Sequence, residues 1–140
     1  MSADRFFDTS IFIYHLGSSD VAKHRIAEEL VRGALEARDA CISYQVIQEC
    51  LNVATRKARV TLSIEEARTY PDVVLMPLLR ISASEALYHR ALDVQARWRF
   101  SFYDSLIVAG ALSAGCTTLF SEDLQDGQRI EGLTIRNPFR

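Results

Sequence analysis

Short apolar runs alternate with longer amphipathic segments along this chain. Five runs predict buried strands, at 5–8, 40–43, 78–82, 117–120 and 133–136. Between them, apolar positions three and four residues apart predict helices over 20–38, 43–57, 84–99 and 103–115, with a further helix opening at Ser63. Strands that alternate with helices in this way predict an α/β fold with a central parallel sheet of about five strands flanked by helices.

Polar residues at the start of each predicted helix support these boundaries. Asp20, Ser43, Ser63 and Ser84 are residue types that cap helix N-termini. Pro71 and Pro77 are expected to break up the region that follows the Ser63 helix. The segment 103–115 is apolar on all sides, so we expect other elements to cover it on both faces.

The composition indicates one ordinary globular domain over residues 1–140. Hydrophobic residues make up 49% of the chain, which is enough for a core, and charged residues make up 24%. No apolar stretch is long enough for a membrane span, and acids and an arginine interrupt the N-terminus, so we expect a cytoplasmic protein with no membrane partner. The net charge of −2 does not indicate a nucleic-acid partner by itself.

Cys41, Cys50 and Cys116 lie in apolar contexts, which favours buried free thiols over a zinc site or a disulfide.

Four acids stand at the ends of predicted elements. Asp8 ends the first strand, Asp123 follows the fourth, Asp104 lies in the first turn of the apolar helix, and Glu49 lies at the edge of the apolar face of the 43–57 helix. Sites in open parallel sheets form at the carboxyl ends of the strands. The four carboxylates are therefore predicted to meet in one pocket.

Each acid also has a purely structural interpretation. Asp8 suits a turn after a strand, and Asp104 suits a helix N-terminus beside a serine cap. Asp123 suits the cap of a short helix over 124–129, and Glu49 suits a solvated helix edge. Four such coincidences at the same edge of one sheet are less probable than a single site.

A cluster of carboxylates requires compensation. Two carboxylates about 5 Å apart repel by about 3 kcal/mol at an effective dielectric constant of about 20. Oxygen ligands without histidine or cysteine select hard cations, so we expect Mg²⁺, with Mn²⁺ as an alternative. Such cations bind phosphates and activate water, which suits hydrolysis of phosphodiester bonds.

At this point the sequence resembles a PIN domain, and within that family the VapC-type ribonuclease toxins of toxin–antitoxin pairs. The resemblance covers nearly the whole chain and rests on "FFDTSIF", "VIQECLNVATRK", "SFYDSLIVAGALSAGC" and "TLFSEDLQDGQRIEGLTIRNPF". It implies a three-layer PIN-like fold, a Mg²⁺ pocket, endonucleolytic cleavage of RNA and a homodimer. It also implies a small antitoxin protein that covers the active site.

The resemblance assigns roles to individual residues. Asp8, Glu49 and Asp104 match three catalytic, metal-binding acids, and Asp123 matches the fourth by position. The family's fourth acid usually follows a threonine in a Thr-x-Asp pattern, whereas this chain has Ser121-Glu122-Asp123, so Asp126 stays open as a substitute or a water-mediated ligand. The supporting hydroxyls would be Thr9, Ser10 and Ser121.

Cations after the second acid could guide RNA toward the pocket. Arg56, Lys57 and Arg59 follow the helix of Glu49, where they equally suit a helix C-terminus.

Two other functions are disfavoured. A haloacid-dehalogenase-type phosphatase would need an acid at Ser10, and a response-regulator receiver would need a lysine after its last strand. A PIN-fold RNA-processing nuclease without a toxin role, and a PIN-fold binding protein that no longer cuts, stay open.

Overall fold

The described part of the chain contains six strands in one central sheet. The computed structural model describes residues 3–56 and 62–140. The strands are β1 (Arg5–Phe7), β2 (Ala40–Ser43), β3 (Leu79–Ile81), β4 (Thr118–Phe120), β5 (Arg129–Ile130) and β6 (Leu133–Arg136). Their order across the sheet is β3-β2-β1-β4-β6-β5. All neighbours run parallel except β5 and β6, which are antiparallel.

The predicted parallel sheet is confirmed, and its five predicted strands are all present. The additional strand, β5, has two residues, which is too short for an alternating pattern to show in the sequence. It forms because Ile130 is fully buried and pairs with Leu133 across the tight turn to β6.

Six α-helices of the described residues flank the sheet. They are α1 (Thr9–Leu16), α2 (Val21–Ala37), α3 (Tyr44–Ala54), α4 (Ile64–Tyr70), α5 (Glu85–Trp98) and α6 (Phe102–Ser113). The side chains of Asp20, Ser63 and Ser84 cap α2, α4 and α5 as predicted, and Ser63 forms a reciprocal capping box with Glu66. Ser43 precedes α3, but its side chain makes no capping hydrogen bond to the described residues of that helix.

Three boundaries differ from the predictions. The sequence patterns predict no helix over 9–16, yet α1 forms there because Asp8 caps it and its Ile11 and Phe12 are fully buried. Helix α3 ends at Ala54 rather than near Lys57, and the Thr55 hydroxyl donates to the Leu51 carbonyl at its C-terminus. The chain beyond Pro71 does not leave the helical conformation: one π-helical turn (Pro71–Leu75) and one 3₁₀ turn (Met76–Leu78) lead directly into β3.

The core confirms the prediction for the apolar helix. Every residue of α6 from Ser105 to Ala111 is buried, since the helix packs against α5 on one side and against β2 and β4 on the other. The three cysteines are buried free thiols, with the Sγ atoms of Cys41 and Cys116 3.7 Å apart. Within the two described segments, no helix has the length and apolar character needed to cross a membrane.

Candidate active site

Asp8 is held where β1 ends and α1 begins. Its backbone N–H donates to the Phe120 carbonyl of β4 at 2.9 Å. One carboxylate oxygen accepts from the Thr9 N–H at 2.7 Å, and the other accepts from the Ser121 hydroxyl at 2.8 Å. Asp8 therefore does form the turn and the helix cap that its sequence context allows, while its carboxylate also lines a pocket.

The charge of Asp8 is incompletely compensated by its hydrogen bonds. The residue is only 7% exposed, and burial raises the pKa of its carboxyl group to about 6. The nearby carboxylates of Glu49 and Asp123 raise this pKa further, while the hydrogen bonds from Thr9 and Ser121 lower it. A cation in the pocket would stabilise the ionised form of Asp8.

Glu49 projects from α3 toward Asp8. Its Oε1 accepts from the Thr9 hydroxyl at 2.7 Å, and its Oε2 lies 3.4 Å from the Gln45 amide nitrogen. The same Gln45 nitrogen donates to the Tyr103 carbonyl at 3.1 Å, which ties α3 to the start of α6. The solvated-edge interpretation of Glu49 is wrong because the residue is half-buried and held by hydrogen bonds.

Asp104 and Asp123 enter the pocket from the remaining two elements. The Ser101 hydroxyl caps α6 by accepting from the Asp104 N–H at 3.1 Å, and the Asp104 residue lines the pocket. Asp123 lies in the loop after β4, where partial burial, Glu122 and Asp104 raise the pKa of its carboxyl group. The segment 124–129 contains a bend and a turn and ends in β5, with no helix, so the capping interpretation of Asp123 is wrong.

The structure brings all four predicted acids to one cavity. This acidic pocket has a volume of about 280 Å³ and is lined by Asp8, Thr9, Glu49, Asn52, Val53, Asp104, Ile107 and Asp123. A side groove of about 470 Å³ shares Thr9, Val53 and Asp123 with it and is further lined by Ser10, Ile13, Tyr14, Arg56 and Glu122. The two cavities are therefore adjacent, near the carboxyl ends of β1 and β4.

The other predicted site residues are distributed unevenly around this surface. Thr9 and Ser121 bind the carboxylates of Glu49 and Asp8, as expected of supporting hydroxyls. Ser10 instead accepts from the Glu122 N–H at 3.4 Å. Asp126 accepts from the Asn137 N–H at 2.8 Å and does not line the acidic pocket, so Asp123 is the better placed fourth acid. Arg56 lines the side groove, whereas Lys57 and Arg59 lie outside the described residues.

Two residues beside the acids were missed in the sequence analysis. Gln45 lies one helical turn before Glu49, and Asn52 lies nearly one turn after it. That spacing places all three on one side of α3 and is the signal that would have found them. Neither residue carries a charge, so neither stood out among candidate ligands.

The ligand chemistry of the pocket fits a hard divalent cation. Its four carboxylates and the Asn52 side chain offer only oxygen among their metal-binding atoms, and such ligands suit Mg²⁺ or Mn²⁺. Among residues 3–56 and 62–140, no group of three or more acidic, histidine or cysteine side chains is arranged to hold a metal ion as a ready-made ligand cage. A cation that keeps several of its own waters, as Mg²⁺ does, needs no such cage.

The protein is therefore an α/β protein with a mostly parallel sheet and a pocket of four carboxylates at the ends of its strands. The family model of the PIN domain matches residues 5–129, and the chain belongs to this family. A search of curated proteins found no match.

Solved structures with the same fold include toxins of toxin–antitoxin systems. A toxin–antitoxin complex from Klebsiella pneumoniae is 23% identical with a TM-score of 0.66, and 98% of each chain is covered. VapC20 of Mycobacterium tuberculosis, a sarcin–ricin loop cleaving toxin, is 20% identical with a TM-score of 0.61, over 85% of this chain and 91% of that one. VapBC2 from Rickettsia felis, bound to a DNA fragment from its promoter, is 19% identical with a TM-score of 0.62, over 95% and 97%. These likenesses establish the shared fold.

Proposed function

We propose that this protein is a Mg²⁺-dependent endoribonuclease and the toxin of a toxin–antitoxin pair. The observation that carries the proposal is the convergence of Asp8, Glu49, Asp104 and Asp123 on one pocket from four separate elements. A fold without a use for this arrangement would gain stability by separating these charges. Membership of the PIN family and the likeness to VapC toxins support the same function.

Each acid has a role in the proposed reaction. Asp8, Glu49 and Asp104 would hold the cation, and Asp123 would complete the set directly or through water. When bound, Mg²⁺ supplies activation of water and neutralises charge that develops on the phosphate. The Thr9 hydroxyl fixes Glu49, and the Ser121 hydroxyl fixes Asp8, so both carboxylates are oriented before substrate binds.

The residues of the side groove favour RNA as the proposed substrate. Arg56 is exposed at the groove and would contact the phosphate backbone beside the cleaved bond. The sequence predicts the same role for Lys57 and Arg59, which lie outside the described residues. VapC20 cleaves the sarcin–ricin loop, so a structured RNA is the first substrate to test.

The proposed antitoxin would neutralise the acids and cover apolar surface. An arginine or lysine of that partner would supply the positive charge that a cation otherwise brings to the pocket. A third cavity, of about 500 Å³, lies between the end of α1 and α4; the exposed Val73 lines it, and the exposed Ile64 follows its lining residue Ser63. We propose that the antitoxin packs there. We also propose a homodimer, for which the exposed Leu92 and Tyr103 would supply apolar surface on α5 and α6.

The nuclease is tested by cleavage of structured RNA with Mg²⁺ or Mn²⁺ and with EDTA. Asp8→Asn and Asp104→Asn should lower the rate by at least about 100-fold, which corresponds to about 2.7 kcal/mol of transition-state stabilisation. Asp93→Asn is the matched control, because Asp93 is an exposed acid of α5 outside both cavities. Equal cleavage with and without EDTA would reveal a contaminating nuclease and refute the proposal. RNA binding without cleavage would favour the PIN-fold binding protein.

The toxin role needs a separate experiment. Overexpression of the wild type should slow growth of a bacterial host, whereas Asp8→Ala and Asp104→Ala should not. Co-expression of the proposed antitoxin should restore growth and yield a co-purified complex. A wild type that cleaves RNA without inhibiting growth would leave the RNA-processing nuclease as the better description.

A further inference from the structure

Three acids follow β4 within one short loop, and each has a different environment. Asp123 lines the acidic pocket. Asp126 accepts from the Asn137 N–H and lies 3.8 Å from the Arg140 guanidinium. Glu122, although adjacent to Asp123, is bound by side chains of two helices. The three carboxylates therefore have different contacts, although they lie close together in the sequence.

The contacts of Glu122 use both of its carboxylate oxygens. Oε1 accepts from the Tyr14 hydroxyl of α1 at 2.6 Å, and Oε2 accepts from the Lys23 ammonium of α2 at 2.6 Å. Lys23 also donates to the Tyr14 hydroxyl at 3.3 Å and lies 5.1 Å from the centre of the Tyr14 ring. The Phe139 ring packs edge-on against that ring, with the ring centres 4.8 Å apart. We call Lys23, Tyr14 and Glu122 the Glu122 network.

The Glu122 network is half-buried. The Lys23 and Glu122 side chains are 32% and 23% exposed, so water screens the pair less than it would a fully exposed one. Charge-assisted hydrogen bonds of this length are stronger than neutral ones. The network thereby fixes the loop at Glu122, while the Ser121 hydroxyl fixes it at Asp8. Asp123 follows directly after these two anchored residues.

The position of Glu122 matters for the charge of the site. Glu122 and Asp123 both line the side groove, which shares Asp123 with the acidic pocket. Without Lys23, the Glu122 carboxylate would be a fifth unpaired negative charge beside four others. Its side chain is longer than that of Asp123 and would compete for a cation bound between them.

We propose that Lys23 and Tyr14 are positioning residues that hold the Glu122 carboxylate outside the acidic pocket and leave Asp123 as the acid of this loop that faces the cation. This inference rests on the proposed function, because it gives Asp123 a cation to bind. It assigns no contact with RNA to Lys23 or Tyr14.

The test is a rescue experiment on the purified full chain. Lys23→Met removes the charge but keeps most of the length of the side chain, and Lys23→Arg keeps the charge. Lys23→Met should tighten Mn²⁺ binding to the RNA-free protein, measured by calorimetry, by about tenfold, because the released Glu122 carboxylate adds a negative charge beside the cation. RNA cleavage should nevertheless fall by about tenfold, because Glu122 draws the cation away from the four acids, and Lys23→Arg should stay close to the wild type.

The double variant Lys23→Met/Glu122→Gln distinguishes positioning from simple stabilisation of the fold. The glutamine side chain of this variant carries no charge to compete for the cation, so Mn²⁺ binding and cleavage should return most of the way to wild type. If Lys23→Met fails to fold, Tyr14→Phe removes the hydroxyl that donates to Glu122 and accepts from Lys23, keeps the ring against Phe139, and should give a smaller change in the same direction.

Two results overturn the inference alone: Mn²⁺ binding by Lys23→Met equal to that of the wild type, or a double variant as impaired as the single one. A wild type that neither binds Mn²⁺ nor cleaves RNA would instead overturn the proposed function, and this inference with it.

Discussion

Replacing Asp8 by asparagine should stabilise the protein in the absence of divalent cations. The carboxyl group is buried, and its pKa rises from 3.8 to about 6. Since one pKa unit corresponds to 1.36 kcal/mol, ionised Asp8 destabilises the folded state by about 3 kcal/mol relative to the protonated form. Asparagine is neutral, has nearly the same shape and is itself a preferred N-cap residue.

The hydrogen bonds of Asp8 reduce this gain. An asparagine oxygen can still accept from the Thr9 N–H, but its amide group faces the Ser121 hydroxyl, which must then reorient. A hydrogen bond of this kind contributes about 1 kcal/mol. We therefore expect Asp8→Asn to raise the free energy of unfolding by about 1–2 kcal/mol at pH 7.5 in EDTA.

The stability difference between Asp8→Asn and the wild type should depend on pH in a characteristic way. Because burial raises the folded-state pKa of Asp8, the protonated carboxyl group stabilises the folded state. This contribution is fully present below pH 3.8 and is lost as the pH rises through about 6. The advantage of Asp8→Asn over the wild type should therefore grow between about pH 4 and about pH 6.5 and then level off. At about pH 4 the substitution should be close to neutral or slightly destabilising.

The assay is urea unfolding followed by circular dichroism, in EDTA at pH 4.5 and pH 7.5. The slope of the free energy against urea should be the same for both proteins, so that midpoints compare directly. Asp93→Asn, the exposed control on α5, should show no growing advantage. A variant that is destabilised equally at both pH values would refute the reasoning and show that the Asp8 carboxylate acts chiefly as a turn and cap.

Three further predictions test other parts of the structure. Mg²⁺ at ten times its dissociation constant should raise the free energy of unfolding of the wild type by about 1.4 kcal/mol, and thermal unfolding of Asp8→Asn and Asp104→Asn should show a smaller gain. Thr9→Val removes the hydroxyl that holds Glu49 and should slow RNA cleavage by about tenfold, whereas Thr9→Ser, which keeps the hydroxyl, should retain most of the rate; equal rates for the two would argue against this role. Ser63→Ala breaks the capping box of α4 and should lower stability in urea by about 1 kcal/mol without changing the cleavage rate, because Ser63 lies outside the acidic pocket and the side groove.

The sequence alone determined the main elements and the acids of the candidate site. Local periodicity identified five strands and most helices, because the apolar residues of a buried face recur along the sequence with the period of the helix or strand. The apolar 103–115 segment indicated a helix covered on both sides because no polar face remained for solvent. Asp8 and Asp123 were predicted because parallel strands end at one edge of a sheet, which needs no knowledge of strand order, and Glu49 and Asp104 because of their positions on the neighbouring helices.

Only the tertiary structure decided what local patterns leave ambiguous. The apolar run after Thr9 is as compatible with a strand as with α1, and the burial of Ile11 and Phe12 selects the helix. Strand order, and the pairing of Ile130 with Leu133, depend on contacts that no single segment encodes.

The same limit applies within the candidate site. Three acids in one loop look alike in the sequence, and their partners come from distant parts of the chain: Lys23 lies 99 residues before Glu122. Similarly, Thr9 orients Glu49 across 40 residues. Residue type and spacing show which side chains can serve a site, but which of them face it depends on long-range hydrogen bonds and charge pairing that form only when the chain folds.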